Sequence, residues 1–367
     1  MIYIIIFTSS TIFACLASKF GGKNNKWIFV LFSILSIIIP ALLAGMRDLS
    51  IGTDVSTYII NNYELARNAK SFLEYAMIVY AKEPLYMLIV YLVTKIFKDI
   101  HILLLVFSLI DLVCIYIGAY RLKKYISIPT VLVIYYFFYY NDTYNMVRQH
   151  MAMAVLFLGI INVLEKKYWK FFPYIIIATM LHSSAVLSIV FPIIHWFISN
   201  KVIGKNYKFR ELLIVFVSAI VCIFPKYIYI ALADVGILSQ RYIYYFQANS
   251  VSDNVLDTMF YLMEISIVLL FATRARKKIY AFDYLKINAI LTLIFLQLSR
   301  VMYYGGRFSV YFGMINMLML AQLNKIGKNK EQRIAVNMLI ALMLLIYWWY
   351  IYVYGGASET YPYKFWF

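Results

Sequence analysis

Twelve apolar runs recur along this chain, at about 2–18, 27–44, 102–120, 127–140, 148–164, 170–182, 184–198, 211–228, 257–273, 284–304, 308–323 and 333–354. In lipid, every backbone N–H and C=O must be satisfied within the protein, so runs approaching 20 residues fold as spanning helices. Several of these runs are short, which predicts tilted or broken helices. Composition agrees: 64% of the 367 residues are hydrophobic and 14% are charged, whereas soluble domains carry about 25% charge. The expected fold class is all-α, a polytopic integral membrane protein of about 12 transmembrane helices. A single membrane domain is expected over 1–367, because no stretch is long and polar enough for a separate soluble domain.

The net charge of +17 invites a nucleic-acid reading, but its placement argues against one. Six connections carry basic clusters: Lys19/Lys23/Lys26, Arg121/Lys123/Lys124, Lys166/Lys167/Lys170, Lys201/Lys205/Lys208/Arg210, Arg274/Arg276/Lys277/Lys278/Lys286 and Lys325/Lys328/Lys330/Arg333. Together they hold 22 of the 34 Lys and Arg residues. Basic connections stay in the cytoplasm, and twelve spans with both termini outside place all six there. The charge is then mostly topology, and nucleic acid is not an expected partner. A thirteenth run, about 85–97, would invert the later clusters if it crossed. The stretch from Glu83-Pro84 to His101 is therefore expected to form a re-entrant or interfacial helix on the outer side. Cys15, Cys114 and Cys222 lie in apolar runs without a CxxC or Cys/His cluster. Disulfides and a zinc site are not expected, nor is any metal or cofactor.

The outer connections keep isolated arginines, among them Arg47, Arg148, Arg300 and Arg307, where the inner clusters are mostly lysine. Arginine binds phosphate oxygens bidentately, and a charge beside a span is costly unless it has a partner or a task. Asn141–His150 interrupts two apolar runs and places Arg148 in the first turn of a helix, with Asn145 as the expected N-cap. A helix start with an arginine suits an anion. Gly45-Met46-Arg47-Asp48, then Gly52-Thr53-Asp54 and Tyr58, offers a second arginine, with Asp48 and Asp54 to orient it or bind sugar hydroxyls. Arg47 and Asp48 pairing with each other is the alternative. His182, in Leu181-His182-Ser183-Ser184-Ala185, is the side chain most easily tuned for proton transfer. Arg300 and Arg307 bracket a Gly-Gly turn after Tyr303, and Arg300 and Tyr304 would share a helical face. Outer tyrosines at Tyr242–Phe246 and Tyr361-Pro362-Tyr363 could stack on sugar rings. One outer face with these groups implies an anionic, lipid-linked substrate.

The order Gly-x-Arg-Asp, Gly-Thr-Asp, Tyr, Glu-Pro, Asn-x-x-Arg-Gln, His-x-Ser-Ala, Arg…Arg-Phe and a final Pro-Tyr-Lys-Phe resembles the EpsG family, Wzy-type polymerases of bacterial surface polysaccharides. The pattern runs from Gly45 to Phe365. The resemblance implies a GT-C-like membrane glycosyltransferase of the bacterial inner membrane, facing the periplasm or exterior. Such an enzyme transfers a glycan from undecaprenyl diphosphate onto an undecaprenyl-diphosphate-linked repeat unit, for O-antigen, capsule or exopolysaccharide. On that basis Arg148, Arg300 and Arg307, then Arg47, are assigned to the diphosphate. His182 is the expected base, with Asp48 and Asp54 as alternatives. Asn145, Gln149, Tyr58 and Tyr303 would contact or support the sugar. Lipid-linked oligosaccharides, membrane lipids, a flippase and a chain-length regulator are the partners implied. An O-antigen-ligase-like transferase would use the same arginines. A transporter or flippase would call for internal repeats and polar residues through the midplane; no repeat is found, and Asp111 is among the few charges deep in a run.

Overall fold

The computed structural model describes residues 1–20, 25–80, 82–199, 207–234, 246, 255–302 and 305–367. These form two compact units, residues 1–189 with 338–367, and residues 190–337. All regular elements among the described residues are helical, and an isolated bridge pairs Arg47 with Phe365.

The first unit opens with α1 (Ile2–Phe20) and α2 (Lys26–Gly45), which pack on each other. Pro40 lies inside α2 and has no N–H, so the Ser36 carbonyl loses its helical donor. The Ser10 hydroxyl of α1 donates to that carbonyl at 2.5 Å, and the Tyr136 hydroxyl lies 2.6 Å from Ser10 Oγ. A π-helical turn, Val55–Ile59, leads to α3 (Ile60–Asn68), α4 (Phe72–Val79) and α5 (Pro84–Phe97). Helix α5 starts with Pro84 in its first turn, where a missing N–H costs nothing. Fourteen residues make a helix roughly 21 Å long, short of the roughly 30 Å hydrocarbon core.

Helices α6 (Ile100–Arg121), α7 (Ile128–Tyr135), α8 (Val147–Leu164) and α9 (Phe172–Leu181) follow. The first unit is packed around α8: every one of its residues except Arg148 and Leu158 is buried. It lies between α6 and α9, and a Cβ on Gly159 would meet the Tyr174 ring at 2.5 Å. Small residues at such crossings let helices approach closely in lipid, where packing replaces the hydrophobic effect. Arg121 donates to the Leu158 carbonyl at 2.8 Å and the Tyr174 hydroxyl at 3.0 Å. That fixes the end of α6 carrying Arg121/Lys123/Lys124 beside the Lys166/Lys167/Lys170 end of α8 and α9. The start of α8 and the end of α9 lie at the opposite end of the unit.

The second unit holds α10 (Val190–Ser199), α11 (Tyr207–Ile223), α12 (Pro225–Asp234), α13 (Val255–Leu270), α14 (Ala272–Lys278), α15 (Phe282–Leu296) and α16 (Arg307–Leu320). Helices α15 and α16 form its centre, with Phe295 stacked on Phe312 at 5.0 Å. Glu264 accepts from Asn316 at 2.6 Å, and Lys286 pairs with Glu211 at 2.8 Å. The last helix, α17 (Lys330–Trp348), continues as a π-helical segment, Trp349–Tyr354.

The protein is a polytopic helical membrane protein. Among the described residues six helices are long and apolar enough to cross a membrane, or seven if α13 and α14, bent by 85°, count as one span. Four more apolar helices, Pro84–Phe97, Tyr168–Leu181, Ser183–Ser199 and Arg307–Leu320, are shorter than that. The difference from twelve lies partly in short helices, at 170–182, 184–198 and 308–323, and partly in broken runs. The expected span at 127–140 is α7 followed by a π-helical turn, and that at 211–228 breaks before Pro225.

Candidate active site

Arg148 and His182 come together through a residue on neither of their helices. Glu83 precedes Pro84, and the residue before a proline is pushed out of the helical region; its φ and ψ are −113° and 80°. Its carboxylate is thereby turned away from α5 instead of capping it. Oε2 accepts from Arg148 Nη1 at 2.8 Å. Oε1 accepts from the Ser183 amide at 3.3 Å and the Ser183 hydroxyl at 3.2 Å, and lies 3.5 Å from His182 Nδ1. Burial alone would raise the Glu83 carboxyl; His182, the Arg148 charge and the Ser183 N–H outweigh it and hold the group at about 2. Glu83 is therefore ionised at neutral pH. Its side chain is 9% exposed, against 28% for Arg148 and 24% for His182. Arg148 and His182 are the more exposed, and the acid sits behind them.

The Arg148 guanidinium also stacks over aromatic rings, 4.3 Å from the Tyr58 centroid and 5.4 Å from that of Tyr86. Cation–π contact suits a weakly hydrated guanidinium in low dielectric. The Tyr58 hydroxyl donates to Asp54 Oδ2 at 2.5 Å, across the π-helical turn. Burial pushes that hydroxyl well up, so it stays protonated as the donor. The same Asp54 oxygen accepts from the Val147 amide at 3.1 Å. This corrects the expected cap. Met146 holds the N-cap position of α8 without a side-chain bond, and Asn145 lies before it in the right-handed helical region. The anion at the start of α8 is the protein's own Asp54. The approach depends on Gly52, whose φ is +91° and whose added Cβ would lie 2.3 Å from the Tyr144 carbonyl oxygen.

Arg47 has a different setting. It is 2% exposed, donates from Nη1 to the Ala44 carbonyl at 2.7 Å, and sits 4.0 Å from the Tyr144 ring centroid. Asp48 does not pair with it. Asp48 accepts from the Ser50 amide at 2.9 Å, and bonds from Ser50 hold its carboxyl below the usual range. The chain end covers this corner. Asp48 N donates to Lys364 O at 2.9 Å, Trp366 N to Met46 O at 3.2 Å, and the Tyr363 hydroxyl to Leu43 O at 2.6 Å. Trp366 stacks on His101 at 4.7 Å. Arg47 and Asp48 thus belong to the tail's anchorage rather than to the Glu83 cluster.

Gln149 is buried in α8, beside Arg148 in sequence. Arg300 and Arg307 lie in the second unit, Arg300 exposed at the end of a short 3-10 helix, Gln297–Arg300, and Arg307 in the first turn of α16. Tyr303, its neighbour Tyr304 and residues 242–245 fall outside the described residues. Among the described residues no group of three or more His, Cys, Asp or Glu side chains could hold a metal ion.

The first unit therefore assembles two carboxylates, an arginine, a histidine and two tyrosines at the end opposite its basic clusters. The arginine can bind an anion, the imidazole can move a proton, and Glu83 can fix both. The sequence marks Glu83 as the start of the 85–97 segment and as part of the Glu-Pro motif of the family pattern, but not as the partner of Arg148 and His182. The Glu-Pro pair was the available signal, since it forces the residue before proline out of the helix. No curated protein and no solved structure matches the chain. A model of the EpsG family, Wzy-like polysaccharide polymerases, matches residues 30–365, nearly the whole chain; the protein belongs to the EpsG family.

Proposed function

We propose that this protein is a Wzy-type polymerase, a GT-C-like glycosyltransferase that works as a single membrane domain. It moves a glycan from undecaprenyl diphosphate onto an undecaprenyl-diphosphate-linked repeat unit at the outer face of the plasma membrane. The observation that carries the reading is the Arg148–Glu83–His182 cluster, formed from three distant segments at the end of the first unit away from its basic connections. Basic connections mark the cytoplasmic side, and the cluster's place at the other end supports an outward-facing site, where lipid-linked repeat units are joined.

In the step, an acceptor hydroxyl oxygen bonds to the anomeric carbon of the donor sugar. The bond from that carbon to the diphosphate oxygen breaks, and its electron pair leaves with undecaprenyl diphosphate. The hydroxyl proton passes to His182. Arg148 contacts the diphosphate as its charge develops. Fixed cations at such a place are effective because they need no reorganisation in low dielectric. Asp54 and Tyr58 hold the start of α8, and so hold Arg148.

The test is polymer formation by the purified protein from undecaprenyl-diphosphate-linked repeat units. Chains of many repeats, with release of undecaprenyl diphosphate, support the reading. Transfer of a finished chain to a different acceptor, without lengthening, would replace it with a ligase.

A further inference from the structure

Resting on that reading, we propose that Glu83 is the positioning residue that selects the His182 tautomer, so that the nitrogen accepting the acceptor's proton is Nε2. A carboxylate only accepts hydrogen bonds. Glu83 Oε1 lies 3.5 Å from His182 Nδ1, which is buried and makes no hydrogen bond in this structure; the neighbouring carboxylate favours a hydrogen on Nδ1, and a small turn of the ring would close the bond. In a neutral imidazole, one ring nitrogen carries the hydrogen and the other a lone pair. A hydrogen on Nδ1 leaves Nε2 as the base.

The same carboxylate is anchored from three directions, which is what a positioning role needs. Arg148 holds Oε2 at 2.8 Å from α8, while the Ser183 amide and hydroxyl hold Oε1 from the segment after α9. The backbone of Glu83 is set by Pro84 at the head of α5. Hence α5, α8 and the end of α9 must be in register before His182 is oriented. His182 is the C-cap of α9 with φ −152° and ψ 120°, so its ring leaves the helix towards Glu83. The charged and titratable groups around the pair are Arg148 on α8, Tyr86 on α5, and Tyr58 with Asp54 on the π-helical turn. Among them Glu83 is the anion in contact with His182.

Glu83 also balances the charge of Arg148 without blocking its outward side, since Arg148 keeps 28% of its side chain exposed. One acid therefore sets the geometry of the cation that would meet the diphosphate and of the base that would meet the hydroxyl. The elimination of a proton from the acceptor and the departure of the diphosphate are thereby referred to one rigid point.

The experiment compares wild type with Glu83→Gln and Glu83→Asp in the polymerisation assay, with 15N spectra of the histidine rings assigned by a His182→Ala variant. Glutamine can offer an N–H to Nδ1, which favours the tautomer with hydrogen on Nε2. Glu83→Gln is expected to lower kcat about 100-fold, the scale of a lost general base. The KM for the lipid-linked donor should change less than threefold, and the acid limb of the pH profile should move to lower pH. Glu83→Asp keeps a carboxylate and should retain the wild-type tautomer, with a smaller loss of kcat. In wild type with the His182 ring neutral, Nε2 should give the shift of an unprotonated nitrogen. A protonated Nε2 in wild type overturns the inference, as does Glu83→Gln with unchanged kcat and pH profile while His182→Ala is inactive. Should Glu83→Gln fail to fold, the wild-type spectrum and Glu83→Asp still decide. A wild-type protein that makes no polymer from the lipid-linked units defeats the functional reading itself, and the ring spectra then report on the tautomer separately.

Discussion

Glu83 Oε2 and Arg148 Nη1 lie 2.8 Å apart, although 65 residues separate them in the chain. The contact joins the head of a helix too short to cross the membrane to the first turn of the most enclosed helix in the unit. Removing one partner of such a pair leaves the other charge partly buried and uncompensated. Arg148→Ala should therefore lose polymer formation by about 100-fold or more and lower the unfolding temperature in detergent. Arg148→Lys should recover stability better than activity, because an ammonium lacks the planar fork and stacks less well over Tyr58. Equal recovery of both by lysine would contradict the assigned role.

The pair has a pH signature. Glu83 is held at about 2, below the unfolded value of about 4.3. Its folded form thus favours the ionised state. The stabilisation is present in full above the unfolded value and is lost as pH falls towards about 2. Unfolding temperature measured from pH 7 down to pH 3 should fall more steeply in wild type than in Glu83→Gln. Parallel curves would show that the carboxyl is not held down by its neighbours.

Asp54 makes a separate prediction. Its Oδ2 accepts from both Tyr58 and Val147, so it satisfies an orphan donor at the start of α8 and complements the helix dipole. Asp54→Ala should cost about 1–2 kcal/mol, read from denaturant or thermal unfolding. Asp54→Asn keeps an acceptor and should cost less. An alanine variant as stable as wild type would show that water replaces the cap.

Much of this was legible in the residues themselves. Apolar runs and basic clusters announce a helical membrane protein because length and charge placement act locally. Arg148 and His182 stand out since ionisable groups beside spans need a reason to be there. The Asn145 cap failed for a reason no window shows: Asp54, 93 residues upstream of Val147, reaches the same amide first. The Glu-Pro motif is visible in the sequence, but the role of Glu83 in the site is not, for the same cause: its partners lie 65 and 100 residues away. Arg47 reads as an anion ligand, but the chain end folds back over it, and that closure depends on Tyr363, Lys364 and Trp366.

Gly52 tests the packing beneath the site. With φ at +91° and the Tyr144 carbonyl oxygen 2.3 Å from an added Cβ, alanine must both strain the backbone and displace Tyr144. Gly52→Ala should destabilise by about 1–3 kcal/mol and reduce polymer length with it. Unchanged thermal stability would mean that the turn has another conformation available.

The most direct measurement is polymer length produced from undecaprenyl-diphosphate-linked repeat units by wild type, Arg148→Ala and His182→Ala, each confirmed folded by its unfolding transition. Wild type should yield long chains and release undecaprenyl diphosphate, while both variants should stall at one or two repeats. Long chains from both folded variants would contradict the assignment of the Arg148–Glu83–His182 cluster as the catalytic centre.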